Sequence, residues 1–262
     1  MVDRATPTGQ VLRSPKISWY LAAYVLDCIG DFLWFVTLGW VAARSSNGLV
    51  SGLILCSGAV PAAGLMLFGG ALIDRFGTAR TAIYTMTARA LVMIVWTIAI
   101  MSSAAPLLVL PILAFVLGCV DGLHRPALET WPTVLAGERA QTTIFGLERL
   151  GTRAGQIVGG ITAGLLIAHW SIAGPSAIAA AAFIAALLIF CRLARQTVRE
   201  ETVRSVGAVS SSPSLAALAK SGLRDVRQHK VLSRTVPVHS GFNAVTAGLT
   251  FTVLPIKAHE LQ

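Results

Sequence analysis

The sequence predicts an all-α integral membrane protein, and three observations carry that prediction. Seven apolar runs each reach the roughly 20 residues needed to cross a hydrocarbon core. With 55% hydrophobic and 13% charged residues and a mean hydropathy of +0.71, the chain is far too apolar for an ordinary soluble domain. Lysine and arginine fall in alternate gaps between the apolar runs, as they do in multi-pass proteins.

The first run, 17–43, follows Arg4, Arg13 and Lys16. It is too long for the apolar core of a leader peptide, and Asp27 and Asp31 interrupt it, so an uncleaved first helix is expected. Further spans are expected at 50–72, 81–102, 105–123, 146–168, 171–191 and 235–256, none with the alternation of a strand. Short turns at 44–49, 103–104 and 169–171 predict that helices 1/2, 3/4 and 5/6 are hairpins whose members touch. Two longer segments break the membrane pattern. Residues 124–145, with Pro126, Glu129, Pro132, Glu138 and Arg139, predict a short interfacial helix returning the chain to the fifth span. The stretch 192–234 opens as a charged helical extension, passes through the flexible Ser205–Pro213 segment, and resumes with apolar and basic residues at near-helical spacing, as on an anionic leaflet.

The expected organisation is therefore an N-terminal tail (1–16), a six-helix bundle (17–191), a basic linker (192–234) and a seventh helix (235–262) opening a second bundle. With the tail in the cytoplasm, the inner segments hold Arg4, Arg13, Lys16, Arg75, Arg80, Arg125, Arg139 and the dense set from Arg192 to Arg234. The outer segments hold only Arg44 and Lys257. This asymmetry places the protein in the cell membrane with its N-terminus inside. A net charge of +9 reads as a topology signal and not as a nucleic-acid stripe.

Ionisable side chains inside lipid are costly and mark function or pairing. Asp27 and Asp31, four residues apart, share one face of the first helix; at ~1.5 Å per residue, Asp27 lies about 15 Å into a core about 30 Å thick. Its functional reading is a proton- or cation-binding carboxyl lining a central cavity; the alternative is a structural acid paired with an arginine. Arg89, deep in the third span, needs a partner, and Asp121 on the fourth is the intra-hairpin candidate for a structural or gating pair. Trp34, one turn beyond Gly30 and Asp31, is a candidate ring for a hydrophobic substrate pocket, whereas Trp40, Trp96 and Trp170 read as interfacial anchors. Gly151, Gly155 and Gly159, with Gly160 and Gly164, form two glycine rows on the fifth helix. Gly118 and Gly122 repeat the spacing on the fourth, and such rows let backbones approach closely. Glu148, Arg149 and Arg153 read as a solvated, locally paired cluster.

Gly69–Arg80 packs acid, base and glycine into a very short turn between the second and third spans. Gly70, Leu72, Asp74, Arg75 and Gly77 match the helix 2/3 loop of the Major Facilitator Superfamily, Gly-x-Leu-Ala-Asp-Arg-x-Gly-Arg-Lys; Thr78 and Ala79 replace its basic pair, leaving Arg80. Gly30-Asp31, Pro61 and Arg125-Pro126-Ala127 resemble exporters of the enterobactin and macrolide type. Gly155-Gln156-Ile157-Val158-Gly159-Gly160 is similar to the antiporter motif Gly-Pro-x-x-Gly-Gly, with Gln156 in place of proline. The resemblance covers essentially the whole chain. It implies a proton-coupled secondary exporter of small amphipathic molecules, such as drugs or siderophores, working by alternating access. It also implies that the helix 2/3 loop latches the inner ends of two half-bundles, and that the missing C-terminal helices of a twelve-helix transporter are required.

No nucleotide-binding Gly-x-x-x-x-Gly-Lys-Ser/Thr loop, metal-ligand spacing or serine elbow is present, so no cofactor, metal or enzymatic activity is expected. Cys28, Cys56, Cys119 and Cys191 lie in four different apolar runs and read as small core residues. The expected partners are the lipid bilayer, a small-molecule substrate and a proton gradient, with no nucleic acid. The alternative is a non-transporting membrane scaffold whose hairpins serve assembly.

Overall fold

The computed structural model describes residues 13–44, 48–102, 109–136 and 138–205. They form six helices: α1 (Pro15–Ala43), α2 (Gly48–Phe76), α3 (Thr78–Met101), α4 (Val109–Ala136), α5 (Glu138–Trp170) and α6 (Ala173–Ser205). The linker from 206 onward and the expected seventh helix lie outside the described residues.

Each helix boundary has a local cause. Pro15 sits in the first turn of α1 after Ser14, where its missing N–H costs nothing. Gly77 alone joins α2 to α3 and adopts φ 82°, a region that side-chain-bearing residues avoid; its N–H bonds Ile73 O at 2.8 Å and its carbonyl accepts from Thr81 N at 3.1 Å. In α3, Thr81, Thr85, Thr87 and Thr97 return their hydroxyls to carbonyls four residues back, which satisfies them without water.

Side-chain contacts give the direction of every helix. Residues 58 and 62 of α2 meet 118 and 122 of α4, so those two run parallel, while Tyr20 of α1 meets Leu128 of α4 antiparallel. The odd-numbered helices thus begin, and the even-numbered ones end, on one face of the bundle. The most extensive packing joins α2 to α4, α1 to both α5 and α6, and α3 to α6. Helices α3 and α4 also pack extensively, as a hairpin should, whereas α1/α2 and α5/α6 touch along much smaller surfaces. A tight turn constrains only the helix ends; small-residue seams select the partners. At the α2/α4 seam a Cβ on Gly118 would overlap the Gly58 backbone, and one on Gly122 would stand 2.5 Å from Ala62 O.

Residues 124–145 do not form the separate interfacial helix expected. Helix α4 continues through Pro126 and Pro132 to Ala136, and α5 begins at Glu138. The extension is held because Ala127, Leu128 and Trp131 are buried, with Trp131 packed against Tyr20 and Phe190.

The outer surface carries Leu53, Val60, Leu91, Val95, Ile98, Ile112, Phe115, Ile157, Ile161, Leu165 and Leu188, all exposed. So large an uncovered apolar surface requires lipid. Four helices, α1, α3, α4 and the Ala173–Arg195 part of α6, are long and apolar enough to span a bilayer, and α2 is a fifth if its segments Val50–Met66 and Phe68–Phe76, bent by 57°, count as one. Helix α5 falls short of this composition, carrying Glu148, Arg149 and Arg153 within its length. The protein is an all-α, multi-pass membrane protein.

Candidate functional site

Arg89 lies midway along α3 and is 1% exposed. An arginine so placed must find its counter-charges inside the bundle, and three carboxylates from two helices supply them. Nη1 donates to Asp27 Oδ1 and Nη2 to Asp31 Oδ1, both on α1. Nε lies 2.7 Å from Asp121 Oδ1 on α4, although the N–H is not aimed for a hydrogen bond, so that contact is ionic. The planar guanidinium fork suits this task, because its donors diverge toward several acceptors at once. Beneath it lies the Phe183 ring of α6, its centroid 4.3 Å from Arg89 Cζ. A Cβ on Gly30 would stand 2.5 Å from Phe183 Cε1, so the glycine beside Asp31 makes room for that ring.

Helix α4 adds two groups that sequence reasoning did not include. Arg125 Nη2 donates to Asp31 Oδ2 at 3.4 Å from a largely exposed position. His124 is 1% exposed; its Nδ1 is 2.8 Å from Thr85 Oγ1, and its Nε2 is 3.7 Å from Asp27 Oδ2. Thr85 directs its single hydroxyl proton at Thr81 O, 2.7 Å away. Its oxygen therefore accepts from His124 Nδ1–H, which fixes the ring tautomer. Nε2 is left buried without a hydrogen-bond partner, facing that carboxylate oxygen at ion-pair distance. His124 and Arg125 follow Asp121 by three and four residues, one face of a helix; reading the span as ending at 123 hid that signal.

A second polar group lies nearer the face where α1 begins. Tyr20 and Glu148 are buried, and Tyr20 Oη lies 2.9 Å from Leu128 O and 2.8 Å from Glu148 Oε1. Tyr24 Oη and Thr152 Oγ1 are 3.1 Å apart. Glu148 is thus not part of a solvated cluster with Arg149 and Arg153: both arginines are exposed, and Arg153 donates to Gln156 Oε1.

The other expected site residues are placed as follows. Trp34 is a covered core ring, edge-on to Trp96 at 6.4 Å and close to Gly58. Trp96 is not an interfacial anchor: it is fully buried and donates to Ser176 Oγ, whereas Trp40 and Trp170 are exposed. Gly70, Asp74, Arg75 and Arg80 are exposed around the α2/α3 turn, with Arg75 over the Phe76 ring. The two glycine rows of α5 behave differently. A Cβ on Gly151, Gly155 or Gly159 would press on Val25, Cys28 or Phe32 of α1, while one on Gly160 or Gly164 would meet nothing within 4 Å. Among the described residues no cluster of metal-ligating side chains occurs.

Residues 20–261 match the model of the Major Facilitator Superfamily. No curated protein matched the chain, and no solved structure did.

Proposed function

The chain belongs to the Major Facilitator Superfamily, a family of membrane transporters, and on that premise we propose that it takes part in proton-coupled export of small amphipathic molecules by alternating access. The observation that carries the proposal is the facing pair His124 Nε2 and Asp27 Oδ2, 3.7 Å apart, with no proton donor between them. Around this pair three carboxyls, Asp27, Asp31 and Asp121, meet two guanidinia, Arg89 and Arg125. With all five ionised and the imidazole neutral, the cluster has one negative charge in excess, which a single proton cancels. In a medium of low dielectric that difference is large enough to bias how helices pack.

In this reading Asp27 and His124 hold the exchangeable proton, and Arg89 is the fixed counter-ion that keeps α1, α3 and α4 together. Asp31 and Arg125 face the open side, where substrate and a second half-bundle meet. The Asp74–Arg80 turn latches the inner ends, and the close α1/α5 seam at Gly151, Gly155 and Gly159 lets the helices move as a unit. The protein resides in the cell membrane with its N-terminus in the cytoplasm, as an efflux antiporter of the multidrug type.

The test is reconstitution of the protein in liposomes with an imposed pH gradient. Substrate is expected to accumulate only while the gradient lasts. Equal movement after the gradient is collapsed rules proton coupling out.

A further inference from the structure

At the junction of α1, α4 and α5, apart from the cluster around Arg89, buried oxygens outnumber the protons available to them. In a helix, Leu128 O would accept from the N–H of residue 132, but Pro132 has none. A buried carbonyl without a donor is costly, and Tyr20 Oη stands 2.9 Å from it. The phenol has one proton and two oxygens within its reach; given to the orphaned carbonyl, it is not available to the other. The Tyr20 oxygen also lies 2.8 Å from Glu148 Oε1. Two oxygens that close need a proton between them, and Tyr20 has none left to give. We propose that Glu148 binds a proton and donates it to the Tyr20 oxygen, so that this α1/α4/α5 junction is a proton-binding site of the closed bundle.

The surroundings agree. Glu148 is 6% exposed, and among the described residues no cation pairs with it. Tyr20 and Tyr24 face it from α1. Glu129 at the surface of α4 is a like charge, and Arg149 on its own helix is exposed and makes no salt bridge to it. An ionised carboxylate here would lack the paired charge that burial demands. The chain Tyr20–Glu148 closes only while α1 lies against α4 and α5, so parting those helices exposes the carboxyl to water and lets the proton go. Proton occupancy is thereby tied to the α1 seams.

Infrared difference spectra of the purified protein in lipid, taken near neutral pH without substrate or gradient, test this independently of transport. Subtracting the Glu148→Gln spectrum from that of the wild type is expected to leave one carbonyl band of a protonated carboxyl that shifts in heavy water. Tyr20→Phe removes the acceptor and is expected to move that band toward the position of a weakly bonded acid; this variant decides the matter if Glu148→Gln does not fold. A difference spectrum showing a carboxylate band in place of the acid band overturns the proposal, as does an acid band that Tyr20→Phe leaves unmoved.

Discussion

Arg89 holds its guanidinium over the ring of Phe183, 4.3 Å from Cζ to centroid, and the ring is there because residue 30 has no side chain. A cation on an aromatic face gains up to about 2 kcal/mol when both are desolvated, and Phe183 is fully buried. The charges and the packing are therefore one construction.

Gly30→Ala puts a methyl 2.5 to 2.7 Å from two carbons of the Phe183 ring. The ring must turn or α1 and α6 must separate, and overpacking of this kind costs about 1–3 kcal/mol. Thermal unfolding in detergent is expected to shift down accordingly. Unchanged stability would show that the ring has somewhere else to go.

Arg89→Met leaves Asp27, Asp31 and Asp121 without their shared cation. Removing one partner of a buried ion pair costs about 3–5 kcal/mol, so folded yield in membranes is expected to collapse. Adding Asp27→Asn to Arg89→Met is expected to recover part of the loss, with a coupling of about 0.5–3 kcal/mol. Strictly additive losses in a double-mutant cycle would mean that the two side chains do not interact.

His124→Gln keeps an amide near Thr85 and takes away the titrating ring nitrogen. Gradient-driven accumulation is expected to fall to the level of Asp27→Asn, while substrate binding in detergent persists. If the two residues serve one proton, as proposed, the double variant is expected to be no worse than either single one. A His124→Gln protein that still concentrates substrate would remove His124 from the coupling site.

The glycines of the seams separate cleanly by environment. Gly118→Ala drives a methyl into the Gly58 backbone, which has no rotamer to yield, whereas Gly164→Ala enters open space. The first is expected to lose about 1–3 kcal/mol and the second to change stability little, as read by thermal unfolding of matched preparations. Equal effects would contradict the α2/α4 contact.

Much of the site is legible in the sequence because lipid makes charge conspicuous. Asp27, Asp31, Arg89 and Asp121 stand out in apolar runs, and no hydrocarbon environment tolerates them unpaired. What hid the rest was proline. Taking Pro126 and Pro132 as the end of the membrane pattern cut His124 and Arg125 away from Asp121, although α4 passes straight through. Pro132 is accommodated because Tyr20 takes over the freed Leu128 carbonyl, and such long-range compensation leaves no local trace. Connectivity misled in the same way. Turn length says which helix ends are joined, while at the α2/α4 and α1/α5 seams the partner is set by where glycine removes a Cβ, and only the residues facing each other across space reveal that.

The single-residue joint at Gly77 has a mechanical corollary. Helix α2 packs most on α4 and helix α3 most on α6, the two couples also meet along α3/α4, and at the corner Gly77 alone joins them with no slack. Any tilt of the first couple must reach the second within the span of that residue's torsion angles, so the corner works as a knuckle that transmits torque and does not absorb it.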